Sequence, residues 1–385
     1  MSRYKALLAA LAALMLTAFV VTGCGGSDDD SGSGDNGNTS SSTDSGGSGV
    51  EFAQEQVDKL KDPTQVEFPK PTEAFDPGKG KIAVISCGNA GINCKDGSED
   101  ATDAVKAMGW ESSPVFDGEF DPAKQAGFIR QAIQEKYDGI VLVSMDVNSV
   151  KAAVDAAVKA KIPVSCVMCS NDGLEDIVTD VTTGGTADGE AIGYWTVADS
   201  DGSAKIIGFD DKSFPIVAKR LASAKAVIEE NCEDCTLQEE QISTTELTEP
   251  GPPTWTATLT ANPAGTFDYA WSAYDPFAIP FVKTAEQQGR DDIKISGYDA
   301  SPDFVELIKQ GGAAAATTAA PFEYAAWGAV DEVARMATGN ETWDGTKLPV
   351  MLVTEDNADD PALKAGFFDP PFDYKAEFAE LWGQS

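Results

Sequence analysis

Histidine is absent from this 385-residue chain. That removes Ser-His and Cys-His nucleophilic catalysis, histidine-ligated zinc and histidine general bases, and leaves an enzyme only lysine, carboxylate or tyrosine chemistry. Positive charge is scarce, with 28 Lys and Arg against 63 Asp and Glu and a formal charge of −35. Such a surface repels phosphate backbones and anionic headgroups, which argues against a nucleic-acid partner. The body of the chain has no G-x-G-x-x-G turn, P-loop or Gly-x-Ser-x-Gly elbow, so the usual marks of dinucleotide, nucleotide and serine-hydrolase chemistry are missing. Residues 25–49 contain no large apolar side chain, only Ser, Gly, Asp, Asn and Thr. They cannot bury enough surface to offset ordering entropy and read as a flexible tether.

The longest apolar run, 6–21, has 16 residues, short of the roughly 20 a free spanning helix needs. With Arg3 and Lys5 before it and Val21, Thr22, Gly23 and Cys24 after it, the run reads as an export signal. The four final residues resemble the lipobox of bacterial lipoproteins. The expectation is cleavage before Cys24 and lipidation of that thiol, which ties the mature protein to a membrane at its extracytoplasmic face.

What is present is alternation of helix and strand. In 121–169, Asp121 and Pro122 open a helix whose Ala126, Ile129 and Ile133 share a face. The run 139–143 (GIVLV) has no polar alternation and suits a strand buried on both sides. Val150, Ala153, Val154, Ala157 and Val158 make a second helical face, and 162–167 a second buried strand. Strands are also expected at 81–86, 113–116 and 176–179, with a helix containing Ala101, Ala104, Val105 and Met108. From residue 204 the pattern restarts, with strands at 204–209, 236–242, 267–272 and 293–297 and helices at 214–230, 276–289, 302–309 and 321–338. A short helix is compatible with 50–60 and another with 255–260; 243–266 and the tail after 350 give no firm reading. Two doubly wound α/β lobes joined by a hinge account for this order. In such sheets ligands meet the carboxyl ends of the strands. Those ends carry Asn89, Asn93, Asp146, Asn171, Asp180, Asp210, Lys212, Tyr274, Asp275 and Asp299, a set of carboxylates, amides and an aromatic ring that suits a polyhydroxylated ligand.

Four stretches resemble the periplasmic sugar-binding proteins of ribose-binding type, type I solute-binding receptors of ABC importers. They are 124–140, 157–164, 273–278 (AYDPFA) with 289–299, and Pro302 with 308–311. The resemblance implies three crossings of the chain between lobes, near Val181, Ala320 and Trp343. It divides the chain into a lipoprotein signal peptide (1–24), a tether and lead-in (25–80), an N-terminal lobe (81–181 with 320–343) and a C-terminal lobe (182–319 with 344–385). It makes Asp275 and Asp299 ligand carboxylates and Arg220 a donor to sugar hydroxyls. It also implies an ABC permease as partner, a monomeric receptor, and no cofactor. Three positions depart from the family: the aromatic pair after the first strand is replaced by a loop between Cys87 and Cys94, Met168 and Cys169 replace an Asp-Arg pair, and Ala319 stands near the hinge glutamine. A sensor subunit feeding a membrane kinase and an exported enzyme are the competing readings.

Seven cysteines are present. Beyond Cys24 they form three local pairs, Cys87 with Cys94, Cys166 with Cys169, and Cys232 with Cys235. An even number in an exported chain argues for disulfides, locally paired rather than crossed as Cys94 with Cys169. A four-thiolate zinc site built from the two C-x-x-C pairs is disfavoured, because they fall at opposite ends of their sheets; no metal is expected.

Overall fold

The computed structural model describes residues 45–211, 215–242 and 253–384. The export signal with Cys24, the tether to residue 44, Lys212, Phe214 and 243–252 lie outside the described residues. The chain opens on α1 (Ser45–Lys61). A first sheet then takes β1 (Lys81–Ser86), β2 (Glu111–Ser112), β3 (Phe116–Asp117), β4 (Gly139–Val143), β5 (Val164–Val167) and β6 (Thr179–Val181), with α2 (Ile92–Met108), α3 (Pro122–Gln134) and α4 (Lys151–Lys159) between them. After α5 (Thr186–Asp199), a second sheet takes β7 (Lys205–Asp210), β8 (Thr236–Gln241), β9 (Tyr269–Trp271), β10 (Lys294–Ser296) and β11 (Ala314–Ala319). Between these lie α6 (Pro215–Asn231), α7 (Pro253–Ala261), α8 (Asp275–Gln287) and α9 (Pro302–Gln310). The chain closes with α10 (Phe322–Thr338), β12 (Met351–Thr354), β13 (Leu363–Lys364), β14 (Phe367–Phe368) and α11 (Tyr374–Leu381).

The first sheet runs β2-β1-β4-β5-β6, with β3 also beside β1; the second runs β12-β11-β10-β9-β7-β8. Pairing is parallel except at the β11–β12 edge. Alternate strand residues feed two cores per sheet, which is what a parallel sheet covered on both faces requires. In the first lobe Val141 and Val143 pack with Ala101, Val105 and Val330, while Ile140 and Leu142 pack with Ile129 and Val154. In the second, Ile207 and Phe209 meet Trp255, Phe277 and Phe281, while Ile206 and Trp271 meet Ile192 and Leu221. Local signals behave as expected at α3, where the Asp121 carboxylate accepts from the Ala123 N–H at 2.7 Å and Pro122 fills the first turn.

The lobes are linked more often than three crossings would give. Ala53 and Val57 of α1 are buried beside Ile192 and Trp195 in the second lobe. Residues 62–80 therefore lead from the second lobe to the first, and the lead-in carries a helix packed on the second lobe through Val50, Ala53, Val57 and Leu60 rather than continuing as a tether. Phe68 packs against cores of both lobes, and the Tyr324 hydroxyl and Arg335 guanidinium donate to the Pro69 and Glu73 carbonyls at 2.6 and 2.7 Å. The chain passes again between β6 and α5, between β11 and α10, and between α10 and β12. It passes once more after β12, because Tyr374, Phe378 and Trp382 join the first-lobe core and the Trp327 and Trp382 rings stack at 5.5 Å. The tail from 374 thus belongs with the first sheet, not the second. The expected strands at 113–116 and 176–179 lie instead at Glu111–Ser112 with Phe116–Asp117 and at Thr179–Val181, and Val158 points to solvent at 39% exposure. No described helix is long and apolar enough to cross a membrane.

Candidate functional site

Arg220 is the centre of the second lobe's cleft edge. It projects from α6, nine-tenths buried, and its Nη2 donates to Asp299 Oδ1 at 2.8 Å while lying 3.7 Å from Asp188 Oδ1. Its Nη1 donates to the Ala273 carbonyl at 3.4 Å, and the guanidinium lies 4.7 Å from the Tyr298 ring centroid. Burial alone would lower the pKa of this group, but Asp299 and Asp188 outweigh it and hold the guanidinium above its ordinary value. One donor, Nε, has no partner.

Asp275 sits below this pair and is fully buried. Its Oδ2 accepts from the Ser301 N–H at 2.6 Å and its Oδ1 from the Thr317 hydroxyl at 2.9 Å. Burial first, then the Asp299 charge, raises its pKa well above the carboxylate range. Asp275 therefore shapes the Asp299 loop from beneath rather than facing the cleft. Tyr274, at the N-cap of α8, donates to Asp211 Oδ2 at 3.4 Å and packs edge-on to Phe277. Asp210 accepts from Gln241 at 3.1 Å through one oxygen and leaves the other buried and unpartnered.

The first-lobe candidates divide in the same way. Asp146 caps a 3-10 turn by accepting from the Asn148 N–H at 3.1 Å, and Asn171 donates to the Val178 carbonyl at 2.9 Å. Both are turn formers that remain partly exposed. Asp180 is buried in β6, accepts from the Cys169 N–H at 3.2 Å, and is pushed up to about 7 by burial. Asn89 lies just before α2 and Asn93 in its first turn. The Asn89 side-chain oxygen is buried without a partner.

Backbone strain collects at the same edge. Six of the nine non-glycine residues with left-handed φ among the described residues follow β3 (Glu119 at 48°, Phe120 at 55°), β4 (Ser144 at 51°), β5 (Met168 at 50°) and β10 (Asp299 at 97°, Ala300 at 43°), while Lys136, Lys161 and Asp201 follow helices. Such conformations cost of the order of 1–3 kcal/mol each and persist where a site over-determines them. The lobes also meet there through an ion pair, Lys219 Nζ to Asp172 Oδ1 at 2.5 Å. A cavity of about 540 Å³ lies elsewhere, on the outer side of the second lobe between α1, Trp195, Lys294 and 354–356. Its lysines are already paired, Lys294 with Asp199 and Lys61 with Asp356. The carboxyl edge, with its strained loops and Arg220, is the better candidate.

The six body cysteines pair locally, with Cα separations of 5.7 Å for Cys87–Cys94, 5.7 Å for Cys166–Cys169 and 5.4 Å for Cys232–Cys235, inside the normal disulfide range. Cys87–Cys94 clasps the loop bearing Asn89 and Asn93. Among the described residues, Cys166, Cys169 and Asp180 alone bring three possible metal-ligand atoms together; Cys232 and Cys235 stand apart, so a four-thiolate site does not form.

Asp188 escaped the sequence reading. It is 1% exposed, accepts from the Thr183 hydroxyl at 2.7 Å and the Thr318 hydroxyl at 3.0 Å, and faces Arg220. An acid in the first turn of an α-helix reads as a dipole partner, and only its burial marks it as more.

Residues 82–341 match the family described as periplasmic binding protein domain. No curated protein sequence matches. Solved structures share the fold: a sugar ABC transporter protein of Yersinia enterocolitica (TM-score 0.66, 22% identity, 82% of this chain and 99% of that one), an ABC transporter solute-binding protein of Agrobacterium vitis with bound allitol (0.64, 19%, 73% and 97%), and a Caulobacter myo-inositol binding protein with myo-inositol (0.65, 16%, 76% and 98%). The architecture is that of sugar and polyol solute-binding proteins of ABC transporters, two parallel-sheet lobes of periplasmic binding protein type I. This chain belongs to the periplasmic binding protein domain family.

Proposed function

We propose that this protein is a lipid-anchored receptor that captures a small polyhydroxylated ligand, a sugar or sugar-like polyol, between its lobes and hands it to an ABC permease, with no chemistry of its own. The observation that carries the reading is the Arg220–Asp299 pair at the carboxyl edge of the second sheet. A planar fork beside a carboxylate offers donors and acceptors at the spacing of neighbouring hydroxyls. Family relatives that hold allitol and myo-inositol support the ligand class. In this reading Asn89 and Asn93, on the loop clasped by Cys87–Cys94, contribute from the first lobe together with Asp146, Asn171 and Asp180 of the neighbouring strands and loops. Tyr274 and Asp275 act as supports. Cys24 carries the anchor, on the extracytoplasmic face.

A thermal-shift screen of sugars, polyols, nucleosides and small amides tests the ligand class. Asp299→Ala should weaken the best ligand about tenfold to a hundredfold, since a charge-assisted hydrogen bond contributes roughly 1.5–3 kcal/mol and ~1.4 kcal/mol is a factor of ten. Exposed Asp291 is the control. Asp292 is unsuitable, because its carboxylate forks onto Arg290 at 2.7 and 3.1 Å. Equal affinity of Asp299→Ala and Asp291→Ala would remove Arg220–Asp299 from the site.

A further inference from the structure

The β13–β14 hairpin lies in the last passage between the lobes. Its tip is Gly366, buried, at φ +89°. A Cβ at that position would stand 2.9 Å from Asn93 Oδ1 and 3.8 Å from the Asp299 carbonyl oxygen. The tip therefore fills the space between the first turn of α2 in one lobe and the β10–α9 loop in the other. Its two consecutive aromatic residues anchor it on both sides: Phe367 packs against a first-lobe core and Phe368 is buried in a second-lobe core. The Phe368 N–H donates to the Ala320 carbonyl at 3.3 Å, at the β11–α10 passage.

The Lys219–Asp172 ion pair closes the cleft at another point. Asn93 follows β1 and Asp172 follows β5, with β4 between those strands; Asp299 follows β10 and Lys219 follows β7, with β9 between. The two closures are thus separated by two strand spacings in each sheet, roughly 10 Å. That span takes one six-membered ring with its hydroxyls, or a six-carbon chain, and not two rings.

We propose that the β13–β14 hairpin is a fixed end wall of the cleft that sets ligand length, admitting a single sugar ring or six-carbon polyol and excluding a disaccharide. The inference rests on the solute-binding reading. The ion pair at the other end joins two exposed side chains and can part as the lobes open. The hairpin is held by two apolar anchors and stays.

The test deletes residues 365 and 366. Lys364 and Phe367 are direct partners across the hairpin, so they can be joined while both anchors remain. Titration calorimetry compares wild type and deletion against allitol, myo-inositol, D-allose, maltose and trehalose. The wall predicts that wild type binds a single-ring or six-carbon member and neither disaccharide, and that the deletion loses about tenfold in that affinity and gains measurable disaccharide binding. If the deletion folds, with unliganded melting within a few degrees of wild type, and keeps both affinity and exclusion, the wall is wrong while the receptor reading stands. Wild type that binds nothing in the panel overturns the receptor reading and the wall with it. Should the deletion not fold, Gly366→Val carries the same comparison, since its side chain must displace the tip from Asn93; unchanged affinity and exclusion in that variant would equally overturn the wall.

Discussion

Asp180 links the stability of this protein to pH with a sign that can be worked out from its position. The side chain is 4% exposed in the middle of β6, beside the Cys166–Cys169 disulfide, and one N–H reaches it. Burial lifts its pKa from 3.8 to about 7. In the unfolded chain the group ionises near 3.8, so between that pH and about 7 the folded state holds a proton that the unfolded state has released. Its stabilising contribution is complete below the lower value and is lost as pH rises through the upper one. Three units at 1.36 kcal/mol each give a loss on the order of 4 kcal/mol. Asp180→Asn cannot titrate and keeps an oxygen to accept from the Cys169 N–H. The variant should match wild type in urea denaturation at pH 4 and exceed it by about 2–4 kcal/mol at pH 8. Glu332, raised to about 8, and Asp100, raised to about 7, slope in the same direction but are common to both proteins, so the difference isolates Asp180. A difference that does not change between pH 4 and pH 8 would refute the reasoning.

Asp188→Ala should destabilise the folded protein by about 3–5 kcal/mol, because it removes one of two carboxylates from a buried guanidinium and strands the hydroxyls of Thr183 and Thr318; chemical denaturation reads it, and Asp188→Asn should recover part of the loss by accepting from one of those hydroxyls. Cys24→Ser should move the mature protein from the membrane fraction to the soluble exported fraction, and a fully soluble wild type with an unmodified N-terminus would sink the anchor.

Most of the fold was legible because a doubly wound sheet writes itself in uninterrupted apolar strands and three- and four-residue helical spacing; 139–143 and the α3 cap show this directly. The failures have physical causes. β11 is four Ala and two Thr; Ala is a weak strand former and the segment has no large apolar side chain to mark it, so it becomes a strand because its neighbours bury it. α1 lies next to a low-complexity stretch that carries no packing information of its own, so its docking on α5 depends on partners some 140 residues away in the chain (Ala53 with Ile192). α11 was hidden by the Asp, Pro and Phe of its surroundings, and its place is set by Trp327 and Trp382. At the site, Arg220 and Asp299 were reachable through the family resemblance. Strand-end position could not separate an accessible carboxylate from a buried one: Asp275 and Asp299 look alike in sequence, yet one is fully buried with its oxygens taken by Ser301 and Thr317, and the other has a quarter of its side chain exposed.

The number of passages between the lobes bears on how the cleft can move. Two of them are hydrogen-bonded to each other, through Thr182 N–H to the Gly345 carbonyl at 2.9 Å and Leu348 N–H to the Thr182 carbonyl at 3.0 Å, and so must rotate as one strap. The two additional passages are held by side chains that belong to both cores, Phe68 in the lead-in and the Phe367–Phe368 step in the hairpin. Hinge motion is carried by a few residues that absorb changes in backbone angle. A wide opening would have to pull an aromatic ring out of one core, at a cost of about 1.5–3 kcal/mol for each ring exposed. Small rotations that part Lys219 from Asp172 avoid that cost, because an exposed pair contributes only about 0–1 kcal/mol. The cheap direction of opening is therefore at the ion-pair end, and a ligand would enter and leave there while the hairpin end stays shut.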